Sequence, residues 1–363
     1  MTGKTVVVKV GSTSITTAGG ELSDRAMSSL VEQLVSLSKH GASPILVSSG
    51  AIAAGRRALG GGHERNMEDL QGLAAIGQGL LMARYARLFA ARSRLVGQVL
   101  LTGHDFGNRD AYLNARRTLS RLLQWDVVPI VNENDATSTD EISLGENDRL
   151  AALVASMVRA ELLLILTDTP GILSADPRLG VEASLIEEVT RIDATLESAA
   201  GGPGELGSGG MASKVAAAKI ATWSGIPCVI AAAGEERVLE RVLGGEAVGT
   251  RFRPRPRRLG ARKLWIAFAL PARGRLLIDS GAVRALCEKG HSLLPVGIRH
   301  LEGDFEAGDA VEVVDEARSL IAKGLVAASA SELREIAGRR RDEVPVRMSQ
   351  EAIHRDDLVV LRE

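Results

Sequence analysis

The stretch from Val127 to Ala151, VVPIVNENDATSTDEISLGENDRLA, holds the densest potential chemistry in the chain. Between Asn132 and Asp148 stand six carboxylates (Glu133, Asp135, Asp140, Glu141, Glu146 and Asp148) and three asparagines, with no lysine or arginine, in a chain of which 25% is charged. A surface loop normally mixes its signs. A one-signed loop at the carboxyl end of a strand lies where open α/β sheets place ligands, so this one is read as recognising a cationic group, a metal-bound phosphate, or both. The competing reading is a solvated acidic loop that caps helices.

Other groupings point to an anion. Lys9 interrupts the apolar run Thr5–Val10 one residue from its end, so its ammonium should project toward the sheet's carboxyl edge, where a phosphate would be met; a snorkelling edge lysine is the alternative. Ser48-Ser49-Gly50 joins a strand to a helix, a junction that offers backbone N–H groups, a hydroxyl and a helix dipole together, with Ser49 as a plain N-cap the simpler account. Thr167-Asp168 ends the most apolar strand, again at the ligand edge. Lys214 falls in the first turn of a helix from Met211 to Trp223, where a cation opposes the dipole. That placement makes sense if an anion sits at this end, cradled by Ser208, Gly209 and Gly210.

Two weaker patterns fail. Gly3-Lys4-Thr5 imitates the end of a P-loop without the required first glycine, and Gly207, Gly209 and Ala212 loosely match a dinucleotide fingerprint that no strand leads into. The six histidines show no ligand spacing, so neither a metal cage nor a histidine-based triad is expected.

These groups need a scaffold. Strand patterns at Thr5–Val10, Pro44–Val47, Val96–Leu100, Val127–Val131, Leu162–Leu166 and Ile226–Ala231 alternate with helical patterns at Leu22–His40, Ala51 onward, Leu70–Arg92, Ala111–Gln124, Leu150–Val158 and Met211–Trp223. Such alternation predicts an α/β fold, a mostly parallel sheet sandwiched by helices. Hydrophobic residues make up 45% of the 363 residues but aromatics only 3%, so the core must be aliphatic and alanine-rich.

The run from Arg251 to Lys263 carries seven basic residues and two prolines and reads as an extended linker rather than a nucleic-acid arm. Beyond it come short strands turning at glycines with one helix, the pattern of a small β-rich barrel. The expected organisation is a catalytic domain over residues 1–255, a basic linker over 256–272 and a second domain over 273–363. Eight of the 44 basic residues are lysines, so arginine clusters carry little weight and each lysine more. A formal charge of −1 gives no global attraction to nucleic acid or membrane, and no apolar run approaches the ~18 residues that span a bilayer. Two cysteines without a partner motif suit a reducing cytoplasm.

Taken together, VVVKVGSTSI, VSSGAIAAGR, VNENDA, GENDRLAALVA, LLLILTDTPGI and GSGGMASKVAAA resemble the amino-acid kinase family, and within it the glutamate 5-kinases; the tail from about Arg273 to Ala337 resembles a PUA domain. The resemblance implies ATP-dependent phosphorylation of glutamate's γ-carboxylate, the first step of proline biosynthesis. It implies glutamate at Ser49, Asp135 and Asn147. ATP is implied at Lys9, Thr167, Asp168 and the turn Ser208, Gly209, Gly210, Met211, Ala212, Ser213 and Lys214. Catalysis would fall to Lys9, Lys214 and Asp148, with Mg²⁺ bridging the nucleotide oxygens. It further implies a glutamyl phosphate reductase downstream, proline as a feedback inhibitor and a homo-oligomer. Glu146 departs from the aspartate usual in the family. Two rival readings are another acyl-phosphate-forming kinase and an RNA-binding protein acting through the tail. Asp135 suits a free α-ammonium. In the tail, Phe305 has few aromatic companions for base stacking.

Overall fold

The computed structural model describes residues 4–17, 19–61, 66–137, 146–175, 183–199, 210–256, 258–340, 343 and 351–362. The chain divides into two compact units, Met1–Arg258 and Leu259–Glu363. Asp140, Glu141, Ser208 and Gly209 lie outside the described residues, as does the Glu146 side chain.

Among the described residues the first unit has eight strands: β1 (Lys4–Val10), β2 (Ala42–Ser48), β3 (Val96–Leu101), β4 (Val128–Glu133), β5 (Leu162–Thr167), β6 (Glu188–Val189), β7 (Cys228–Ala232) and β8 (Thr250–Phe252). Their order is β3-β4-β2-β1-β5-β7-β8-β6. All neighbours run parallel except β7 and β8. Strands covered by helices on both faces need continuous apolar runs rather than alternation. β5 is accordingly LLLILT and buried throughout, and Val6, Val7, Val8 and Val10 of β1 are at most 1% exposed. β1 is flanked by β2 on one side and by the much later β5 on the other, so the strand order reverses there. The carboxyl ends beside such a reversal form the crevice where open sheets bind ligands.

The helices are α1 (Ser12–Ile15), α2 (Asp24–Lys39), α3 (Ala51–Ala58), α4 (Met67–Ala90), α5 (Gly103–Gly107), α6 (Arg109–Gln124), α7 (Glu146–Val158), α8 (Ala194–Ala199), α9 (Met211–Trp223) and α10 (Val238–Leu243). Local chemistry sets their starts. Ser23 accepts from the Ala26 amide at 3.3 Å to begin α2, and Asn66 accepts from Asp69 at 2.9 Å to begin α4.

Three boundaries differ from the sequence pattern. β4 runs on to Glu133, because Asn132 and Glu133 still pair with Leu100 and Leu101 of β3. α7 begins at Glu146, one turn before its apolar face starts, which brings Asn147 and Asp148 into its first turn. The segment read as a linker is structured at both ends. Arg251 and Phe252 belong to β8, while Ala261–Leu264 is helical and runs into a π-helical turn at Trp265–Ala269.

Among the described residues the second unit has five strands, β9 (Gly274–Ile278), β10 (Ile298–Gly303), β11 (Ala310–Val314), β12 (Leu320–Leu325) and β13 (Leu358–Val360), in the order β10-β9-β11-β12-β13. Ser280–Lys289 is the helix expected among them, and a further helix, Ala330–Ile336, follows β12. Its separate core gathers Leu276, Ile278, Val311, Val313, Ile321 and Leu333.

One packing constraint bears on the site. α3 crosses α4 so closely that a Cβ on Gly77 would lie 1.7 Å from the Ala51 carbonyl oxygen, and one on Gly55 would lie 2.0 Å from that of Leu73. Gly79, two residues further along α4, faces open space. Gly77→Ala and Gly55→Ala should each cost about 1–3 kcal/mol or more, the range for overpacking a tight contact. Gly79→Ala should be neutral or stabilise by up to about 1 kcal/mol through helix propensity. Urea denaturation of the three variants checks this. A Gly77→Ala protein as stable as wild type would mean that the helices can part at little cost.

Candidate active site

The carboxyl edge of β1 carries a buried cation. Lys9 is 4% exposed, and its ammonium lies 2.6 Å from Oδ1 of Asp148, which is fully buried in the first turn of α7. The other oxygen, Oδ2, accepts a hydrogen bond from the Ser213 hydroxyl at 2.6 Å and lies 3.6 Å from the Lys214 ammonium, both in the first turn of α9. One carboxylate therefore holds two ammoniums, and this inner cluster carries a net positive charge. Burial pulls the Lys214 pKa below the ordinary lysine value, an effect that the nearby charges of Asp148 and Asp168 oppose and that of Lys9 reinforces. The α9 N-terminus adds to the positive field, since no acidic residue stands in its first turn and no side chain caps it at Gly210. A Cβ on Gly11 would lie 3.6 Å from the Lys9 nitrogen, so glycine here leaves a ligand free to approach the ammonium closely.

A second cluster adjoins it through Asn147, the chain neighbour of Asp148. The Glu133 amide donates to Oδ1 of Asn132 at 3.0 Å and lies 3.2 Å from Oδ1 of Asn147. An amide N–H can only donate, so it fixes which end of each asparagine is oxygen. Nδ2 of Asn147 then donates to Oδ1 of Asn132 at 2.9 Å and to the Ser49 hydroxyl at 3.0 Å. Nδ2 of Asn132 donates to Oε1 of Gln78 on α4 at 2.8 Å. Ser49 sits where β2 turns into α3 through Gly50, whose φ of 109° is a left-handed conformation suited to glycine. The Ser49 amide is spent on the Val10 carbonyl at 3.2 Å, so this junction offers one N–H fewer than its sequence suggests. Ser48 and Tyr85 of α4 share a buried hydroxyl contact at 2.8 Å that ties α4 to β2, and burial pushes the Tyr85 phenol up, keeping it neutral.

The residues predicted from sequence fall as follows. Lys9, Asp148, Ser213 and Lys214 form one cluster, and Ser49 and Asn147 join the other. Thr167 and Asp168 end β5, the strand beside β1, with the Thr167 hydroxyl donating to Asp168 at 3.0 Å. Gly210, Met211 and Ala212 lead into α9. Asp135 is half-buried in the turn two residues beyond β4. Sequence reasoning did not single out Asn132 or Gln78. Asn132 lies inside VNENDA, where a strand running two residues further would have exposed its role. Gln78 has only a weak signal, an amide between two glycines on an alanine-rich helix. A cavity of 1120 Å³ shares Val10, Thr167 and Asp168 with this region and also reaches Ser14 and Arg237, but it includes neither lysine; the polar clusters, not that cavity, mark the site. Among the described residues no group of three or more His, Cys, Asp or Glu could hold a metal ion, and no helix is long and apolar enough to cross a membrane.

Comparison with known proteins identifies the family. Residues 4–232 match the amino acid kinase family model and residues 274–347 match the PUA domain model. Glutamate 5-kinase of Thermoanaerobacter sp. (strain X514) is 44% identical over 98% of this chain and 97% of its own length. The glutamate 5-kinase of Gloeobacter violaceus is 46% identical over 98% and 99%. Among solved structures, carbamate kinase from Giardia lamblia bound to AMP-PNP superposes with a TM-score of 0.51 at 18% identity, covering 70% of this chain and 99% of that one, which speaks to the fold alone. The chain belongs to the amino acid kinase family and, within it, to the glutamate 5-kinases.

Proposed function

We propose that the chain transfers the γ-phosphoryl group of ATP to the γ-carboxylate of L-glutamate, giving L-glutamyl 5-phosphate at the head of proline biosynthesis. The observation that carries this reading is the pair of ammoniums, Lys9 and Lys214, held by the single buried carboxylate of Asp148 at the sheet's carboxyl edge. The acceptor needs no general base, because a glutamate carboxylate with a pKa of ~4.3 is already ionised at neutral pH. The obstacle is charge: an anion must approach an anionic phosphate. Catalysis then consists of positioning and cations. Lys9 and Lys214 neutralise the transferring phosphoryl group, and Asp148 with the Ser213 hydroxyl holds both ammoniums in place.

Thr167, Asp168 and the turn from Ser208 through Gly209, Gly210, Met211 and Ala212 serve the nucleotide, and Ser49, Asn147 and Asp135 serve glutamate, with Asp135 taking the α-ammonium. Mg²⁺ would be held chiefly by nucleotide oxygens, since both oxygens of Asp148 are engaged by lysine and serine and the described residues form no carboxylate cage. When bound it neutralises phosphate charge. The product is an acyl phosphate, labile in water, so a glutamyl phosphate reductase would have to consume it. The free thiols Cys228 and Cys287 suit a reducing, cytoplasmic setting.

The reading is tested by coupled ATP consumption with glutamate, aspartate, N-acetylglutamate and UMP offered singly. Turnover is expected with glutamate, and a preference for any of the others sinks the assignment. Proline shares glutamate's α-carboxylate and nitrogen but lacks its γ-carboxylate, so in the same assay it should compete with glutamate; non-competitive inhibition would place it elsewhere.

Lys9→Ala and Lys214→Ala should each lower kcat by roughly 10²–10³-fold while moving the KM for glutamate far less, as expected of charge contacts made mainly in the transition state. Unchanged turnover in either variant removes that lysine from the mechanism.

The depressed pKa of Lys214 sets a pH dependence. Its charged form is the useful one, and that form is lost as pH rises through a value below the ordinary ~10.4 of lysine. The alkaline limb of kcat/KM, which reports the free enzyme, should therefore begin below the ordinary lysine range. With anionic ATP bound the proton is held more tightly, so the limb of kcat should lie at higher pH. In Lys214→Arg the limb should disappear from the accessible range, because guanidinium stays charged. A limb that persists unchanged in that variant belongs to another group.

A further inference from the structure

The amide cluster has a direction, and its far end is unspent. The Glu133 amide fixes Asn132 with its oxygen toward Asn147 and its nitrogen toward Gln78, so Gln78 must turn its own oxygen to Asn132. Its Nε2 then faces away, fully buried, with no hydrogen-bond partner among the described residues. A buried amide donor left without an acceptor is costly, so such a group is expected to have a partner in the functioning molecule. At the opposite end of the chain of bonds Ser49 accepts from Asn147, which leaves its own proton to donate. Both ends of the series Gln78–Asn132–Asn147–Ser49 therefore present donors, the arrangement that suits a carboxylate.

Gln78 is held in position by the close crossing of α3 and α4. Its neighbour Gly77 lies against Ala51 and Gly55 of α3 with no room for a side chain, which fixes α4 at a depth where the Gln78 amide meets the buried edge residue Asn132.

We infer that Gln78 is a substrate-binding residue for the proposed reaction: its Nε2 donates to a carboxylate of the amino-acid substrate, while its Oε1 orients Asn132 and, through it, Asn147. This rests on the reading that the chain binds glutamate. None of the family motifs above reaches α4, and the residue's contribution is to ground-state binding rather than to phosphoryl transfer.

Two variants separate donation from packing. Gln78→Glu keeps the shape and the acceptor for Asn132 but replaces the donor with an anionic oxygen; Gln78→Met keeps the length and removes both polar atoms. Rates would be measured against glutamate and against ATP, with calorimetric titration of glutamate and a melting curve alongside the wild type. Both variants should raise the KM and the dissociation constant for glutamate by about ten- to hundredfold, the size of a hydrogen bond to a charged group, with the KM for ATP within about twofold. Gln78→Glu, which adds repulsion, should be the weaker binder, and Gln78→Met, which buries no charge, should melt close to the wild type. Glutamate affinity unchanged in both variants overturns the inference and means that a trapped water satisfies Nε2. Parallel loss for glutamate and ATP with a lowered melting temperature also overturns it, leaving Gln78 a packing residue. A wild type that neither binds nor turns over glutamate overturns the functional reading and the inference with it, whereas a competent wild type beside equally competent variants overturns the inference alone.

Discussion

The buried carboxylate of Asp148 is the interaction on which the site depends. Taking three charged groups out of water is expensive, and mutual attraction repays it only where the geometry is close and the remaining hydrogen-bonding positions are satisfied. Here Oδ1 has Lys9 at 2.6 Å and Oδ2 has Ser213 at 2.6 Å, while Lys214 stands further off at 3.6 Å. The asymmetry matters. Lys9 sits closer to the carboxylate, whereas burial outweighs the partners of Lys214 and lowers its pKa. Such a group is stabilised by an incoming anion, so the arrangement is poised for a phosphate rather than complete without one. The three elements that build it, β1, α7 and α9, are far apart in sequence, and their meeting depends on α7 packing against both β1 and α9.

The neighbouring amide cluster works by a different principle. None of its members is charged, yet its polarity is unambiguous because a backbone N–H anchors it. Asparagine and glutamine can each present either end, and an isolated pair would leave the choice open. The Glu133 amide removes the choice for Asn132 and Asn147 together, and it can do so only because β4 continues to Glu133. An irregular end to β4 would leave that amide pointing nowhere in particular.

Much of this was readable in the sequence, for a common reason. Lys9 stands in a valine strand, Thr167 and Asp168 follow a leucine strand, and Lys214 opposes a helix dipole; each is a residue whose type conflicts with its local pattern, and such conflicts gather at functional sites. The strand and helix alternation gave the layered architecture directly. What stayed hidden was set by tertiary pairing. Asn132-Glu133 reads as loop, and only the ladder with β3 makes it strand. β6 and β8 are two and three residues long and rich in charge, so no periodicity could reveal them; their pairing with each other and with β7 creates them. Gln78 belongs to the same class, since its place depends on a glycine contact between helices rather than on its own neighbours in the chain.

The two clusters together impose an asymmetry on any substrate. The inner one offers two ammoniums and the outer one offers neutral donors, from Ser49 and Gln78, with the half-buried carboxylate of Asp135 beyond the end of β4. On the proposed reading, a ligand that satisfies this set brings anionic oxygens to two places and a cation to a third. Glutamate has two carboxylates and one ammonium, in that proportion. An acetylated amino acid would bring no ammonium to Asp135, and a nucleoside monophosphate would likewise bring none and oblige the neutral donors to meet a sugar or a base. Selectivity of this kind comes from unmet polar groups as much as from met ones, because a buried donor or carboxylate left without its partner penalises the wrong ligand more than a good contact rewards the right one.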